Sequence, residues 1–274
     1  MMNRIDKTLK RLSEQHKKML SPYLTAGDPH LHNTVELMHK LVRTGADILE
    51  IGMPFSDPMA EGPVIQAAME RALANGTTPN TVLSMVEEFR KQDNETPIIL
   101  MGYLNPIEQY GYEAFAKQAH HAGVDGTIIV DLPPEESQAI TAHWQAHALY
   151  PIYLCSPTTT EARFKQIAAL AQGYLYYVSL KGVTGANTLD LDAVKSSYLR
   201  LKDQTDLPIM IGFGIKTPEM AAQVAAFADG VIVGAALIQH ISEAATKHQD
   251  AMQAGAEFIH TMRKAIDMRL TDYE

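Results

Sequence analysis

The stretch Ala46-Asp47-Ile48-Leu49-Glu50-Ile51-Gly52-Met53-Pro54-Phe55-Ser56-Asp57-Pro58-Met59-Ala60-Glu61-Gly62-Pro63 begins as a buried strand and ends as a turn-rich loop. Ile48, Leu49, Ile51 and Met53 form its apolar part, and Glu50 interrupts them. A carboxylate inside an apolar strand is costly unless it is paired, solvated in a cleft or kept protonated. It reads either as a structural Glu paired to a nearby Lys or Arg, or as a general acid or base made less acidic by its surroundings. Position favours the second. Glu50 stands near the strand's end, and a loop with three prolines and two more carboxylates follows at once.

The same strand-then-loop unit recurs on both sides. Strand-like runs lie at 21–25, 47–52, 97–102, 125–131, 150–155, 174–179, 208–213 and 230–234. Helical patterns fill the gaps at about 31–44, 62–75, 79–92, 112–122, 134–147, 160–171, 190–203 and 217–227. An amphipathic helix at 3–16 precedes them, a short helix at 235–242 follows the last strand, and a closing helix spans roughly 245–268. Runs such as Thr127-Ile128-Ile129-Val130 are apolar on both faces, as parallel strands covered by helices are. Eight such units predict an α/β fold of the (β/α)8 TIM-barrel type. No linker or composition shift divides the chain, so residues 1–274 are expected to form one domain.

In such a barrel the working residues cluster at the C-terminal ends of the strands. Those positions hold Tyr23, Thr25, Glu50, Tyr103, Asn105, Asp131, Ser156, Tyr176 and Ser179, then the glycine-rich ends of the last two strands. Ile211-Gly212-Phe213-Gly214-Ile215 and Val233-Gly234-Ala235-Ala236 lie where barrel enzymes often bind phosphate, with a short helix opening at Ala235. Lys181-Gly182-Val183-Thr184-Gly185 suits a lid or an anion nest, and equally an ordinary turn.

A formal net charge of −9 argues against a nucleic-acid or anionic-membrane partner. Cys155, the only cysteine, rules out a disulfide framework and a cysteine zinc site, and the histidines fall in helical segments without a metal-ligand pattern, so no metal is expected. The polar N-terminus and the lack of any run of ~20 apolar residues point to a cytoplasmic protein.

Taken in order, several motifs resemble those of the alpha subunit of tryptophan synthase, over nearly the whole chain. They are Pro22-Tyr23-Leu24-Thr25-Ala26-Gly27-Asp28-Pro29, Leu49-Glu50-Ile51-Gly52, Pro54-Phe55-Ser56-Asp57-Pro58, Asp131-Leu132-Pro133, Gly182-Val183-Thr184-Gly185 and Gly212-Phe213-Gly214-Ile215. The resemblance implies a lyase that cleaves indole-3-glycerol phosphate to indole and glyceraldehyde 3-phosphate in tryptophan biosynthesis. It assigns general acid–base work to Glu50 and a second carboxylate, facing the indole N–H, to Glu61. Tyr23, Tyr103 and Tyr176 become pocket residues and Thr184 the lid residue, with Gly185, Phe213, Gly214, Gly234 and Ala235 at the phosphate. It implies no cofactor in this chain and a beta-subunit partner carrying pyridoxal phosphate in an α2β2 complex. That partner would dock near Pro54–Pro58, Asn105-Pro106 and Pro133-Pro134 and raise the activity allosterically.

Two positions depart from the family pattern: Glu61 stands where Asp is usual, and Ala235 where Ser is usual. They support an alternative, a catalytically weakened barrel acting mainly as an allosteric partner of the beta subunit. A Schiff-base aldolase using Lys181 and a free-standing lyase are further rivals.

Overall fold

Every predicted apolar run but the one at 150–155 folds as a single short parallel strand, and the helix patterns cover the outside. The computed structural model describes residues 2–179, 190–212 and 214–271. The strands are β1 (Met19–Thr25), β2 (Leu49–Gly52), β3 (Ile98–Gly102), β4 (Gly126–Ile129), β5 (Tyr150–Pro151), β6 (Leu154–Cys155), β7 (Leu175–Val178), β8 (Ile209–Gly212) and β9 (Gly230–Val233). They pair in parallel in the order β5-β4-β3-β2-β1-β9-β8-β7-β6.

The two ends of that order are consecutive in the chain. β5 pairs with β4 and β6 with β7, and only Ile152 and Tyr153 separate them. Ile152 N–H donates to Thr127 O at 2.9 Å, and Tyr176 N–H donates to Tyr153 O at 3.0 Å. The sheet therefore closes into the predicted eight-stave barrel. The expected continuous fifth strand is instead broken in two, and Pro151, which has no N–H to give a ladder, stands at the break.

The helices are α1 (Arg4–Glu14), α2 (Thr34–Arg43), α3 (Pro63–Ala74), α4 (Pro79–Arg90), α5 (Leu104–Tyr110), α6 (Tyr112–Ala122), α7 (Gln138–Ala146), α8 (Glu161–Leu170), α9 (Leu191–Lys202), α10 (Pro218–Ala225), α11 (Ala235–Thr246) and α12 (Ala251–Thr271). α5 was not anticipated. α11 runs to Thr246, beyond the short helix expected at 235–242. Several helices begin on plain chemical signals. Pro63, Pro79 and Pro218 take the first helical turn, and the side chains of Thr78, Thr160, Asp190 and Thr217 accept N–H groups inside the first turn.

Helix α1 closes the N-terminal end of the barrel. Its Ile5 and Leu12 are buried, and a Cβ on Gly173 would lie 2.9 Å from Ile5. Asn3 Nδ2 donates to Asp125 O at 3.0 Å, and Tyr150 O–H donates to Asp6 at 2.6 Å.

A repeated device fixes this floor. Asp47, Asp125 and Asp229 each precede a strand and accept an N–H near the start of the neighbouring strand, from Leu20, Ile98 and Ile209. Each also meets a cation: Arg263 at Asp47, Arg4 and Arg90 at Asp125, and Lys202 at Asp229. With the floor sealed, the opposite mouth is left for chemistry.

Candidate active site

Glu50 lies on β2, fully buried, in register with Tyr23 of β1 and Ile99 of β3. No Lys or Arg pairs with it among the described residues, so the structural ion-pair reading fails. Its Oε1 accepts O–H bonds from Tyr174 at 2.9 Å and Ser21 at 3.4 Å, while Oε2 is buried without a partner among the described residues. Burial disfavours the charged form and pushes the carboxyl up to about 8, against the pull of the two hydroxyls.

Glu61 enters from the loop between β2 and α3. Its backbone is pinned on both sides: Glu61 N–H donates to Pro58 O at 3.0 Å, and Gln66 Nε2 donates to Glu61 O at 2.8 Å. Ala60 N–H donates to the Tyr103 hydroxyl at 3.1 Å, tying the loop to the end of β3. The Glu61 side chain is buried, which pushes its carboxyl up to about 7.

Tyr23, Tyr103 and Tyr176 complete the lining, and the charge of Glu61 acts on all three. Burial raises every one of these phenols, Tyr103 to about 12 and Tyr23 and Tyr176 well above the usual value, and Tyr174 is raised as well. Near neutral pH they stay protonated and act only as hydrogen-bonding hydroxyls. The two carboxyls, raised to about 8 and about 7, are the groups here whose protonation changes nearest neutral pH.

The tyrosines fit because glycines make room. A Cβ on Gly52 would lie 2.1 Å from the Tyr23 hydroxyl, and one on Gly212 would lie 2.3 Å from that of Tyr176.

The expected phosphate corner lies across the same mouth. Gly214 has φ +78°, a left-handed conformation that favours glycine. α11 opens at Ala235 with no side-chain cap on its first N–H groups. Among the described residues a Cβ on Gly234 would come no closer than 3.6 Å, to Tyr23, an ordinary van der Waals contact, so their packing does not demand glycine there. N–H groups that no side chain caps among the described residues, at the start of a twelve-residue helix, suit an anion.

The structure thus brings Glu50, Glu61, Tyr23, Tyr103, Tyr176, Gly214, Gly234 and Ala235 to one end of the barrel. Thr184, Gly185, Phe213 and the rival Lys181 lie outside the described residues. Asp131, at the end of the fourth stave, accepts the Leu104 N–H at 2.7 Å and so anchors the start of α5. Ser179 donates to Gly212 O at 2.8 Å, joining β7 to β8. Sequence reasoning missed Ser21 and Tyr174. Each stands two residues before a predicted pocket tyrosine, and the two-residue period of a strand puts them on the same inward face. Among the described residues no cluster of His, Cys, Asp or Glu could hold a metal ion, and no helix is long and apolar enough to cross a membrane.

A closed parallel barrel with two buried, protonatable carboxyls at its C-terminal mouth defines a (β/α)8 acid–base enzyme. A family profile described as "Tryptophan synthase alpha chain" matches residues 9–267. The chain is 65% identical over 266 residues to the tryptophan synthase alpha chain of Legionella pneumophila (strain Corby), covering 97% of this chain and 98% of that one. The crystal structure of tryptophan synthase subunit alpha from Legionella pneumophila str. Paris superposes with a TM-score of 0.93 at 62% identity, covering 98% and 100% of the two chains. An aminoacrylate-bound structure of tryptophan synthase from M. tuberculosis gives a TM-score of 0.86 at 30% identity, covering 97% and 100%. The chain belongs to the tryptophan synthase alpha chain family.

Proposed function

We infer that Glu50 and Glu61 carry the family's reaction in this chain, the retro-aldol cleavage of indole-3-glycerol phosphate to indole and glyceraldehyde 3-phosphate. The observation that carries the assignment is the state of Glu50, a fully buried carboxyl without an ion pair among the described residues, raised to about 8. Such a group exchanges protons near neutrality, where an exposed glutamate is simply ionised. Glu50 gives a proton to indole C3 and takes one from the glycerol hydroxyl. The bond between C3 and the chain breaks, its electrons return to the ring, and the hydroxyl-bearing carbon becomes the aldehyde. Glu61, as carboxylate, stabilises the positive charge that grows at the indole N–H. The phenols of Tyr23, Tyr103 and Tyr176 line the ring's cavity. The phosphate lies against the open start of α11, with Gly214, Gly234 and the backbone N–H of Ala235.

The family implies a beta-subunit partner. We place the contact on the rim formed by Pro54–Pro58, Asn105-Pro106 and Pro133-Pro134, beside Met59, which is 78% exposed. An α2β2 assembly in the cytoplasm, with pyridoxal phosphate held by the beta subunit, fits this reading. Nothing in the comparisons favours the weakened-barrel alternative that Glu61 and Ala235 raised.

The test is indole release from indole-3-glycerol phosphate, with and without the beta subunit. Wild type releases indole, and faster with the partner. Glu50→Gln lowers the rate by at least ~10²-fold. A rate unchanged in Glu50→Gln overturns the assignment of Glu50, and a wild type silent under both conditions overturns the lyase reading for this chain.

A further inference from the structure

The two oxygens of Glu50 are not equivalent. Tyr174 and Ser21 both donate to Oε1, and a carboxyl oxygen has two lone pairs to accept with. Oε1 is therefore filled. Oε2 is buried and has no partner among the described residues. Ser21 is itself fully buried, and its hydroxyl bond to Glu50 is what keeps it from being an unpaired polar group.

We infer that Ser21 is a positioning residue for the reaction: with Tyr174 it occupies Oε1 and so makes Oε2 the oxygen through which Glu50 passes its proton. The inference rests on the acid–base reading of Glu50 given above. A proton on Oε1 would have to displace one of the two donors, so the neutral acid carries its proton on Oε2. When that proton leaves for indole C3, the O–H electron pair stays on the carboxylate, and the two hydroxyls stabilise the charge at Oε1. The same Oε2 then accepts the proton of the glycerol hydroxyl, and the enzyme ends as it began.

The neighbours leave this arrangement exposed to test. Tyr23 and Ser21 face Glu50 from β1, Ile99 pairs with it on β3, Tyr174 and Tyr176 approach from β7 and the residue before it, and Glu61 comes from the loop. None of these is a cation that could mask the loss of a hydroxyl.

The experiment has two readouts. The first is an infrared titration of the protonated Glu50 carboxyl in the ligand-free protein, the band being identified by its loss in Glu50→Gln. The second is the pH dependence of kcat and KM for indole-3-glycerol phosphate.

Both hydroxyls favour the charged form, so removing either moves the Glu50 transition to higher pH. Tyr174→Phe moves it by about one pH unit, and Ser21→Ala, which loses the longer bond, by less. The kcat profile moves with it while KM stays. Ser21→Cys, with a weaker donor, also shifts the transition upward and reads the effect should the alanine variant not fold.

A transition unmoved in both Ser21 variants, whatever Tyr174→Phe does, reduces Ser21 to packing and overturns the proposal. Infrared shifts as expected, with no cleavage even in wild type, overturn the lyase reading and leave standing only the bond by which Ser21 holds Oε1 of Glu50.

Discussion

Gly212 carries no side chain because the Tyr176 hydroxyl stands where a Cβ would be. Gly212→Ala therefore forces that phenol toward the cavity. A displacement of ~1 Å near reacting atoms costs on the order of 10²-fold in rate, so kcat/KM falls by about that factor in the folded protein, while overpacking lowers stability by ~1–3 kcal/mol. Steady-state kinetics at a temperature where both proteins are folded, beside thermal unfolding, separate the two; a lowered Tm with kcat/KM unchanged would mean the glycine serves packing alone. Glu50 gives a second expectation. Its folded carboxyl is raised from 4.5 to about 8, so the folded chain keeps a proton that the unfolded chain has released. The resulting stability is full below the unfolded value and is lost as pH rises through the folded one. Glu50→Gln has no such proton to lose. Its Tm should exceed that of wild type by a margin that widens from about pH 5 to about pH 9, and a margin flat with pH contradicts the raised carboxyl. Glu61→Asp should release indole more slowly, because its shorter side chain moves the carboxylate by about a bond length from where the loop holds it; a faster variant would show the longer acid to be a handicap.

Among the elements, the aspartates that start the strands deserve separate perturbation. Asp125 and Arg90 are both buried, and Asp125 also receives Arg4 and the Ile98 N–H. Asp125→Ala strands two guanidinium groups and a backbone donor, and should cost about 3–5 kcal/mol in urea unfolding. Asp229→Ala breaks a pair in which both side chains are part-exposed, and should cost about 1–2 kcal/mol. Equal losses would deny that burial sets the difference. Strands and most helices were legible because apolar runs and periodic faces survive without tertiary information. α5 escaped because it has only seven residues and carries Pro106 in its first turn, so it reads as a loop. Glu50 and Glu61 stood out as acids in the wrong company or at a motif position. Ser21 and Tyr174 did not, since a hydroxyl inside a strand says nothing until strand register shows what it faces. The aspartate device was hidden for the same reason: each carboxylate bonds a strand remote in sequence.

At the scale of the whole molecule, floor and mouth divide the labour. α1 contributes little to the mouth and much to the floor. Deleting residues 2–14 uncovers the sites of Ile5 and Leu12, worth about 1.5–3 kcal/mol each, and takes Arg4 from Asp125. Tm should fall by on the order of 10 °C, while indole release measured well below the new Tm changes little; an equal loss of both would tie the floor to catalysis. The broken fifth stave has a different consequence. Six residues, 150–155, hold the ring shut, gripping one neighbour with their first half and the other with their second. A cylinder breathes where its grip is thinnest. In deuterated solvent the amides of Ile152 and Tyr176 should exchange ahead of those of Leu100 and Ile211, which lie between full-length neighbours. β1 and β2 stand in the arc farthest along the ladder from that clasp. Thermal opening is thereby steered away from the staves that bear Tyr23 and Glu50, and the acid keeps its place while the far side of the ring gives.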